Sequence, residues 1–407
     1  MRDKLINLSI SITDGEHGSL KNKYTNENGF YVFSMENIYN NNINIKENQP
    51  KVDYDTFEKI QRKSKVTVNS VLLTAVGDLG RTALVRDDNI NFCFISGVVI
   101  INTDKSKLLP KYLYYYLQSP ISQYRLKNCG STNSNQKHFV LQDAEEFEVD
   151  YPELNKQQEI VDLIDPVELK IHNNNTIIES LSNKIKDIFT YWFVDYNFPD
   201  SNRHTHKDNY GVSNNKLPIG WSYMSFTDNS LFKLVPVGVD LFEGNKIYLS
   251  TSQVTQDDYD LDSNIITYEN RESRANMQPV INSVWFARMK NSIKHLCFDD
   301  SGYLVNELIL STGFCGVYCD PINFEYVYSL INSDWFEEIK NVYSSGSTQE
   351  SITDLILSYI KIKIPSKDVL ERFHNVTKND LKMILKLKKE NDVLKKYKSF
   401  LLQTLFK

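Results

Sequence analysis

The sequence predicts a mixed α+β (α/β) fold: two similar globular modules separated by two long antiparallel coiled-coil helices and related by a pseudo-two-fold internal repeat. Three observations predict it. First, short stretches recur in one order at nearly one offset. Asn69-Ser70-Val71 returns as Asn282-Ser283-Val284 and Phe147–Pro152 as Ile360–Pro365 at 213, and Leu117-Gln118-Ser119 as Ile331-Asn332-Ser333 at 214. Tyr31–Ser34 returns as Ile247–Ser250, Ser96-Gly97-Val98 as Thr312-Gly313-Phe314, and Gly130-Ser131-Thr132 as Gly346-Ser347-Thr348, all at 216. Second, apolar runs such as Val71–Leu73, Val98–Ile101, Ile281–Phe286 and Gly316–Tyr318 are punctuated by Gly, Asn and Asp, the pattern of strands and turns. Third, each copy ends in a long stretch whose apolar residues recur at helical spacing.

In chain order, residues 1–152 form the first module, with a Tyr-rich helix at Leu113–Leu117. Residues 153–196 form the first long helix, with a seam of Ile160, Ile164, Ile171, Ile178, Leu181, Ile185, Ile188 and Trp192. Asp165-Pro166 reads as an N-cap followed by a first-turn proline, so a short helix should precede a longer one. The polar stretch Asp195–Lys216 reads as a surface linker, assigned to 197–216, and its His204-x-His206 pair lacks the further ligands a metal needs. Residues 217–365 form the second module, helical at Tyr326–Val342. Residues 366–407 form the second long helix, with a seam of Phe373, Val376, Leu381, Ile384, Leu387, Leu394, Tyr397, Leu401 and Leu405. Helices of about 30 residues span ~45 Å and need a partner for their apolar face.

Charge names that partner. Residues 153–196 hold 4 basic and 8 acidic side chains, and residues 366–407 hold 11 and 5, so the two helices should pair with each other. The expected register puts Leu181 near Leu394 and Ile171 near Leu401 or Leu402, with Trp192 also in the pairing. The five cysteines lack a C-x-x-C pair, and Cys315-x3-Cys319 has no histidine at zinc-ligand spacing, so they read as buried free thiols with no metal. No window approaches the ~20 apolar residues of a membrane span, and the start has no signal-peptide core. A cytoplasmic protein without membrane contact is expected.

Two similar modules on a rigid pair of helices form a ruler suited to a polymer with a repeat. Duplex DNA read at two half-sites about one turn (~34 Å) apart fits. The residues then carry a resemblance. Pro152–Ile160 leading to Leu181 and Phe189-Thr190-Tyr191-Trp192-Phe193, the Asp14–Gly18 segment, Leu72-Leu73-Thr74 with Gly77 and Gly80, Gly130-Ser131-Thr132, and Leu217–Trp221 together resemble the specificity subunit of Type I restriction-modification systems over essentially the full chain. The second module departs from the first in having Arg288-Met289-Lys290-Asn291 for Val76–Leu79 and in lacking the Gln-Gln pair before its helix.

The resemblance implies a non-catalytic chain whose modules are target-recognition domains, each reading one half of an asymmetric bipartite site on double-stranded DNA. Its partners would be two methyltransferase subunits, which bring S-adenosylmethionine, and restriction (endonuclease/translocase) subunits, which bring ATP and Mg; this chain would hold no cofactor. The sequence agrees, having neither an Asn/Asp-Pro-Pro-Tyr/Phe segment nor a G-x4-G-K-S/T phosphate loop. Asp320 with Glu338-Ile339-Lys340 has carboxylate-lysine spacing of the kind seen in nucleases, but on an amphipathic helix it reads as a solvated charge face. The alternatives are a catalytic nuclease or methyltransferase component and a protein-only coiled-coil scaffold.

Contacts to DNA are assigned by chemistry, because Lys, Arg, Ser and Thr suit phosphates while Arg, Asn and Gln suit base edges. In the first module these are Thr132, Asn133, Asn135, Gln136 and Lys137, with Ser34, Asn37, Lys65 and Arg81. In the second they are Ser250, Gln253, Arg271, Arg274, Asn276, Gln278, Arg288, Lys290, Lys294, Ser347 and Gln349. Residues 1–152 hold 18 basic and 18 acidic side chains, and residues 197–365 hold 13 and 21, so the chain alone should bind DNA weakly.

Overall fold

The computed structural model describes residues 1–18, 20, 23–25, 29–46, 48–129, 139–200, 217–256, 258–259, 261, 264–346 and 350–407. They divide into two units, Met1–His172 with Asp392–Lys407, and Asn173–Asn391.

In the first unit the apolar runs form β1 (Arg2–Lys4), β2 (Ser9–Asp14), β3 (Phe30–Phe33), β4 (Val71–Thr74), β5 (Thr82–Leu84), β6 (Phe92–Phe94), β7 (Val98–Thr103) and β8 (Glu148–Asp150). Helix α1 (Tyr54–Ser64) precedes β4, α2 (Pro110–Gln118), α3 (Pro120–Asn128) and α4 (Leu141–Glu146) precede β8, and α5 (Leu154–Phe189) follows. One antiparallel sheet has the order β2-β7-β4-β5; a second contains β6 and β3 in parallel; β1 pairs with β8. Successive side chains of a strand point to opposite faces. Val71, Leu73, Val99 and Ile101 accordingly pack with the tyrosines of α2, while Leu72, Val98 and Ile100 pack with Phe33, Phe92 and Phe94.

The second unit repeats this plan with β9 (Ser222–Ser225), β10 (Phe232–Leu234), β11 (Lys246–Leu249), β12 (Ala275–Met277), β13 (Ser283–Ala287), β14 (His295–Phe298), β15 (Leu308–Ser311), β16 (Phe314–Cys319) and β17 (Lys361–Ile364). Its helices are α6 (Phe324–Ile331), α7 (Asp334–Tyr343), α8 (Asp354–Tyr359) and α9 (Lys367–Leu405). The order β10-β16-β13-β14 matches β2-β7-β4-β5, β11 and β15 are parallel as β3 and β6 are, and β9 pairs with β17 as β1 does with β8. The internal repeat therefore extends to strand order and direction.

The long helices differ from expectation in three ways. Helix α5 runs unbroken through Pro166. Asp165 does not cap a new helix there, because its carboxylate takes Lys111 Nζ at 2.7 Å and the Tyr115 hydroxyl at 2.8 Å. The register also differs: Asn174 Nδ2 donates to Asn391 Oδ1 at 2.9 Å, and Lys184 pairs with Asp380 at 2.8 Å. Leu181 therefore packs in the second unit's core with Ile384 and Leu385, whereas Leu394, Ile171 and Leu401 belong to the first unit's core. Partner numbers fall along α9 as they rise along α5, which makes the pair antiparallel. Finally, Val376 and Tyr397 are exposed, and the buried positions beside them are Thr377 and Lys398.

The stretch expected to be a surface linker is packed at its start. Phe198 is buried and stacks on Trp221, ring centroids 5.5 Å apart, and Asp200 pairs with Arg372 at 2.9 Å. His204 and His206 lie outside the described residues. The cysteines are free thiols; Cys93 and Cys315 are buried, and burial pushes each up to about 12. Among the described residues no helix is long and apolar enough to cross a membrane.

Asp150 ties β8 to its surroundings, taking Arg2 Nε at 2.7 Å and Arg125 Nη1 at 2.6 Å, and these contacts lower its carboxyl from 3.8 to about 2. A carboxylate with a depressed pKa stabilises the folded state above its unfolded pKa, and that contribution disappears as pH falls through the folded one. The stability difference between the wild-type chain and Asp150→Asn is expected to shrink below about pH 4 and vanish near pH 2. Denaturation of the two chains across that range checks this; a difference that persists unchanged at pH 2 would contradict it.

Candidate nucleic-acid interface

In each unit the loops at one end of the β4–β7 or β13–β16 sheet are drawn together by backbone hydrogen bonds. In the second, Thr312 N–H donates to Arg274 O at 2.9 Å and Arg288 N–H to Gly313 O at 2.8 Å, while Lys290 N–H reaches Glu350 O at 3.0 Å. His295 N–H donates to Gln256 O at 2.6 Å, and Lys294 Nζ donates to Thr251 O. Three stretches assigned to DNA contact, 250–256, 271–278 and 288–294, therefore meet, and Glu350, beyond the fourth assigned stretch 344–349, joins them. In the first unit Ala75 N–H donates to Gly97 O at 2.9 Å and Phe139 N–H to Ala75 O at 3.3 Å, as Ile352 N–H does to Arg288 O at 3.0 Å in the second.

Many of the assigned polar side chains build these loops instead of projecting from them. Ser34 accepts from Glu36 N–H at 3.2 Å, and buried Asn37 accepts from Ser34 N–H at 2.9 Å and donates to Asn44 O at 2.8 Å. Ser250 and Gln253 repeat the device, Ser250 N–H donating to Gln253 Oε1 at 2.9 Å. Arg81 donates to Met35 O at 3.1 Å, and Gln278 to Val305 O at 3.1 Å. Arg271 lies 4.0 Å over the Tyr268 ring and donates to its carbonyl. Arg288 pairs with Asp354 at 2.7 Å and donates to Ile352 O, and Lys290 pairs with Glu350 at 2.7 Å. Burial lowers the Lys294 ammonium below the ordinary lysine value. Arg274 and Lys65 are exposed, and Asn276 is half-buried. Thr132, Asn133, Asn135, Gln136, Lys137, Ser347 and Gln349 lie outside the described residues.

The helix carrying Lys340 corrects an expectation. Lys340 is fully buried, not on a solvated charge face. It forms a 2.6 Å ion pair with Glu337, which also meets His295 Nε2 at 3.0 Å, and its Nζ donates to Ser292 O at 2.9 Å. Asn341 Oδ1 accepts from Asn291 N–H at 2.7 Å. In the first unit Gln123 reaches the corresponding loop, donating to Gly80 O at 2.8 Å. Among the described residues the sequence did not single out Gln123, His295, Glu337 or Asn341 and pointed to Lys340 only as a solvated charge. The only signal was the i, i+3 spacing of Glu337 and Lys340, which exposed ion pairs share.

Gln157, the first residue of the Gln-Gln pair, is fully buried at the start of α5. Its side chain accepts from Leu109 N–H at 2.8 Å and donates to Lys107 O at 2.8 Å and Pro152 O at 2.9 Å, fixing the helix to the loop before α2. This match between a sequence motif and a structural clamp lies within the stretch covered by a family model described as Type I restriction modification DNA specificity domain, residues 12–183. Residues 12–183 are similar to that family.

Segments of this chain are also similar to two specificity subunits. The Type I restriction enzyme EcoBI specificity subunit of Escherichia coli is 29% identical over 152 residues, 34% of this chain and 32% of that protein. The HindI specificity subunit of Haemophilus influenzae is 25% identical over 118 residues, 29% of this chain and 26% of that protein. The matched segments thus span about a third or less of those relatives. The crystal structure of the S subunit of a Type I restriction-modification system from M. genitalium aligns with all of this chain and 96% of its own, with a TM-score of 0.54 and 15% identity, so it shares the fold. The second module, beyond the family match, repeats the strand order of the first.

Proposed function

We propose that this chain is the DNA sequence-specificity subunit of a Type I restriction-modification complex and that it catalyses no step itself. In this reading residues 1–152 and 217–365 are target-recognition domains, each taking one half of an asymmetric bipartite site. Residues 153–196 and 366–407 are the spacer helices, and 197–216 link the halves. The observation that carries it is one sheet framework used twice with different loop chemistry at the same end, as expected of two readers of different half-sites. Two methyltransferase subunits would supply S-adenosylmethionine chemistry, and restriction subunits ATP- and Mg-dependent chemistry. The acidic balance of residues 197–365, 13 basic against 21 acidic, supports DNA being held jointly with those partners.

Mapping methyladenine in DNA exposed to the chain with its methyltransferase tests the reading. One asymmetric bipartite sequence is expected, and exchanging residues 1–152 for another such module should change one half and leave the other intact. A pattern unmoved by the exchange would favour a protein-only scaffold. Turnover by the purified chain with Mg or S-adenosylmethionine alone would refute the non-catalytic assignment. Nanomolar sequence-specific binding by the isolated chain at physiological salt would contradict the dependence on partners.

A further inference from the structure

The β13–β14 hairpin carries the loop Arg288–Lys294 over a charged cluster with no counterpart among the described residues of the first module. Ser119 and Ser333 cap α3 and α7 alike, by accepting from Ser122 N–H and Phe336 N–H. This cap match fixes the alignment of the two helices, so that Gln123 corresponds to Glu337 and Leu126 to Lys340. Leu126 is fully buried in the first unit's core, which shows that the site accepts an apolar side chain. A buried ion pair generally adds little stability over apolar packing of similar volume, so Lys340 and Glu337 need another reason to be there. Their contacts supply it. Lys340 Nζ holds Ser292 O at 2.9 Å, Glu337 holds His295 at 3.0 Å where the hairpin returns, and Asn341 holds Asn291 N–H at 2.7 Å.

The rest of the loop is anchored too. Arg288 is bound to Asp354, Lys290 to Glu350 and Lys294 to Thr251 O. Asn291, Met289 and Ile293 remain exposed at the tip, Met289 at 41% and Ile293 at 52%. Asn291 sits at φ 56°, a left-handed conformation that asparagine tolerates. An asparagine amide suits an adenine edge, and apolar side chains suit a thymine methyl.

We propose that Asn291, Met289 and Ile293 read bases of the second half-site, and that Glu337, Lys340 and Asn341 are positioning residues that fix the tip for that reading. The inference rests on the proposed DNA-specificity function. Two kinds of variant in the full chain, assembled with its methyltransferase and offered a randomised duplex library, test it. Asn341→Ala removes the acceptor for Asn291 N–H, whereas Asn341→Asp keeps an acceptor oxygen. Glu337→Gln with Lys340→Leu installs the first module's pair.

Asn341→Ala and the double variant are expected to lose about tenfold discrimination at the second half-site and none at the first, while Asn341→Asp retains it. The double variant should melt close to wild type, unlike Lys340→Leu alone, which strands Glu337. Unchanged discrimination in both folded variants, or an equal loss at both half-sites, would overturn the positioning role. If the double variant does not fold, the Ala and Asp pair at 341 decides. A wild-type complex that selects no bipartite sequence sinks the DNA reading itself, a result distinct from either.

Discussion

Lys398→Met is expected to destabilise the first unit by about 3–5 kcal/mol, the cost of removing one partner from a buried ion pair. Lys398 and Glu168 are each buried, at 6% and 7% exposure, and their ammonium and carboxylate are in direct contact. Lys398 also donates to Gln118 Oε1 at 2.7 Å, and Glu168 accepts the Tyr114 hydroxyl at 2.7 Å. Burial lowers the Lys398 ammonium, with Glu168 opposing that shift. With Lys398 gone, Glu168 keeps Tyr114 and the more distant Arg86 at 3.9 Å, too little to compensate a buried carboxylate. Replacing Glu168 with leucine in the same chain should restore most of the loss, since a matched apolar pair leaves no uncompensated charge. Urea denaturation of wild type, single and double variants measures it. A single variant within 1 kcal/mol of wild type, or a double variant no better than the single, would reject the account.

Phe373→Ala should cost the second unit a similar ~3–5 kcal/mol, by the cavity left when a large buried aromatic side chain is truncated. Phe373 is fully buried on α9, with ring centroids 5.0 Å from Phe193, 5.8 Å from Trp192 and 6.3 Å from Phe189. Phe193 in turn meets Tyr326 edge-on at 4.7 Å, so the cluster joins both long helices to α6. Edge-to-face geometry adds to the area buried. Tyr191, in the helical segment Thr190–Val194 that also carries Trp192 and Phe193 but 55% exposed, is the control, and Tyr191→Ala should stay within about 0.5 kcal/mol of wild type. Equal losses from the two would show that the segment, not the aromatic cluster, matters.

Much of the architecture was legible because the chain states it twice. The pair Ser70-Val71 and Ser283-Val284 illustrates this, whereas Arg288, matched in sequence to Val76, takes in the structure the place of Ala75, each accepting a backbone hydrogen bond, from Ile352 and Phe139 respectively. Past the end of α5, Trp192 was readable as a seam residue and is buried, while the burial of Phe189 and Phe193 came with the structure. The seam of α9 was not as readable. Val376 and Tyr397 are apolar and fit the spacing, but they face outward, while Thr377, Asn391 and Lys398 take buried positions. Those polar residues are compatible with burial only because Phe373 O, Asn174 and Glu168 meet them. Asn174 and Glu168 lie more than 200 residues away in sequence.

By itself, then, the sequence determined the duplication, the mixed class of each module, the two long helices and the family resemblance, because all of these rest on periodicity and local composition. Only the tertiary structure decided the register of α5 against α9, the burial of Lys340 and the division of loop residues into those that build the surface and those that face out from it. Periodicity reports which faces of a segment are apolar. Whether a charged or polar side chain is buried depends on a partner brought to it by the fold, and a one-dimensional pattern does not contain that partner.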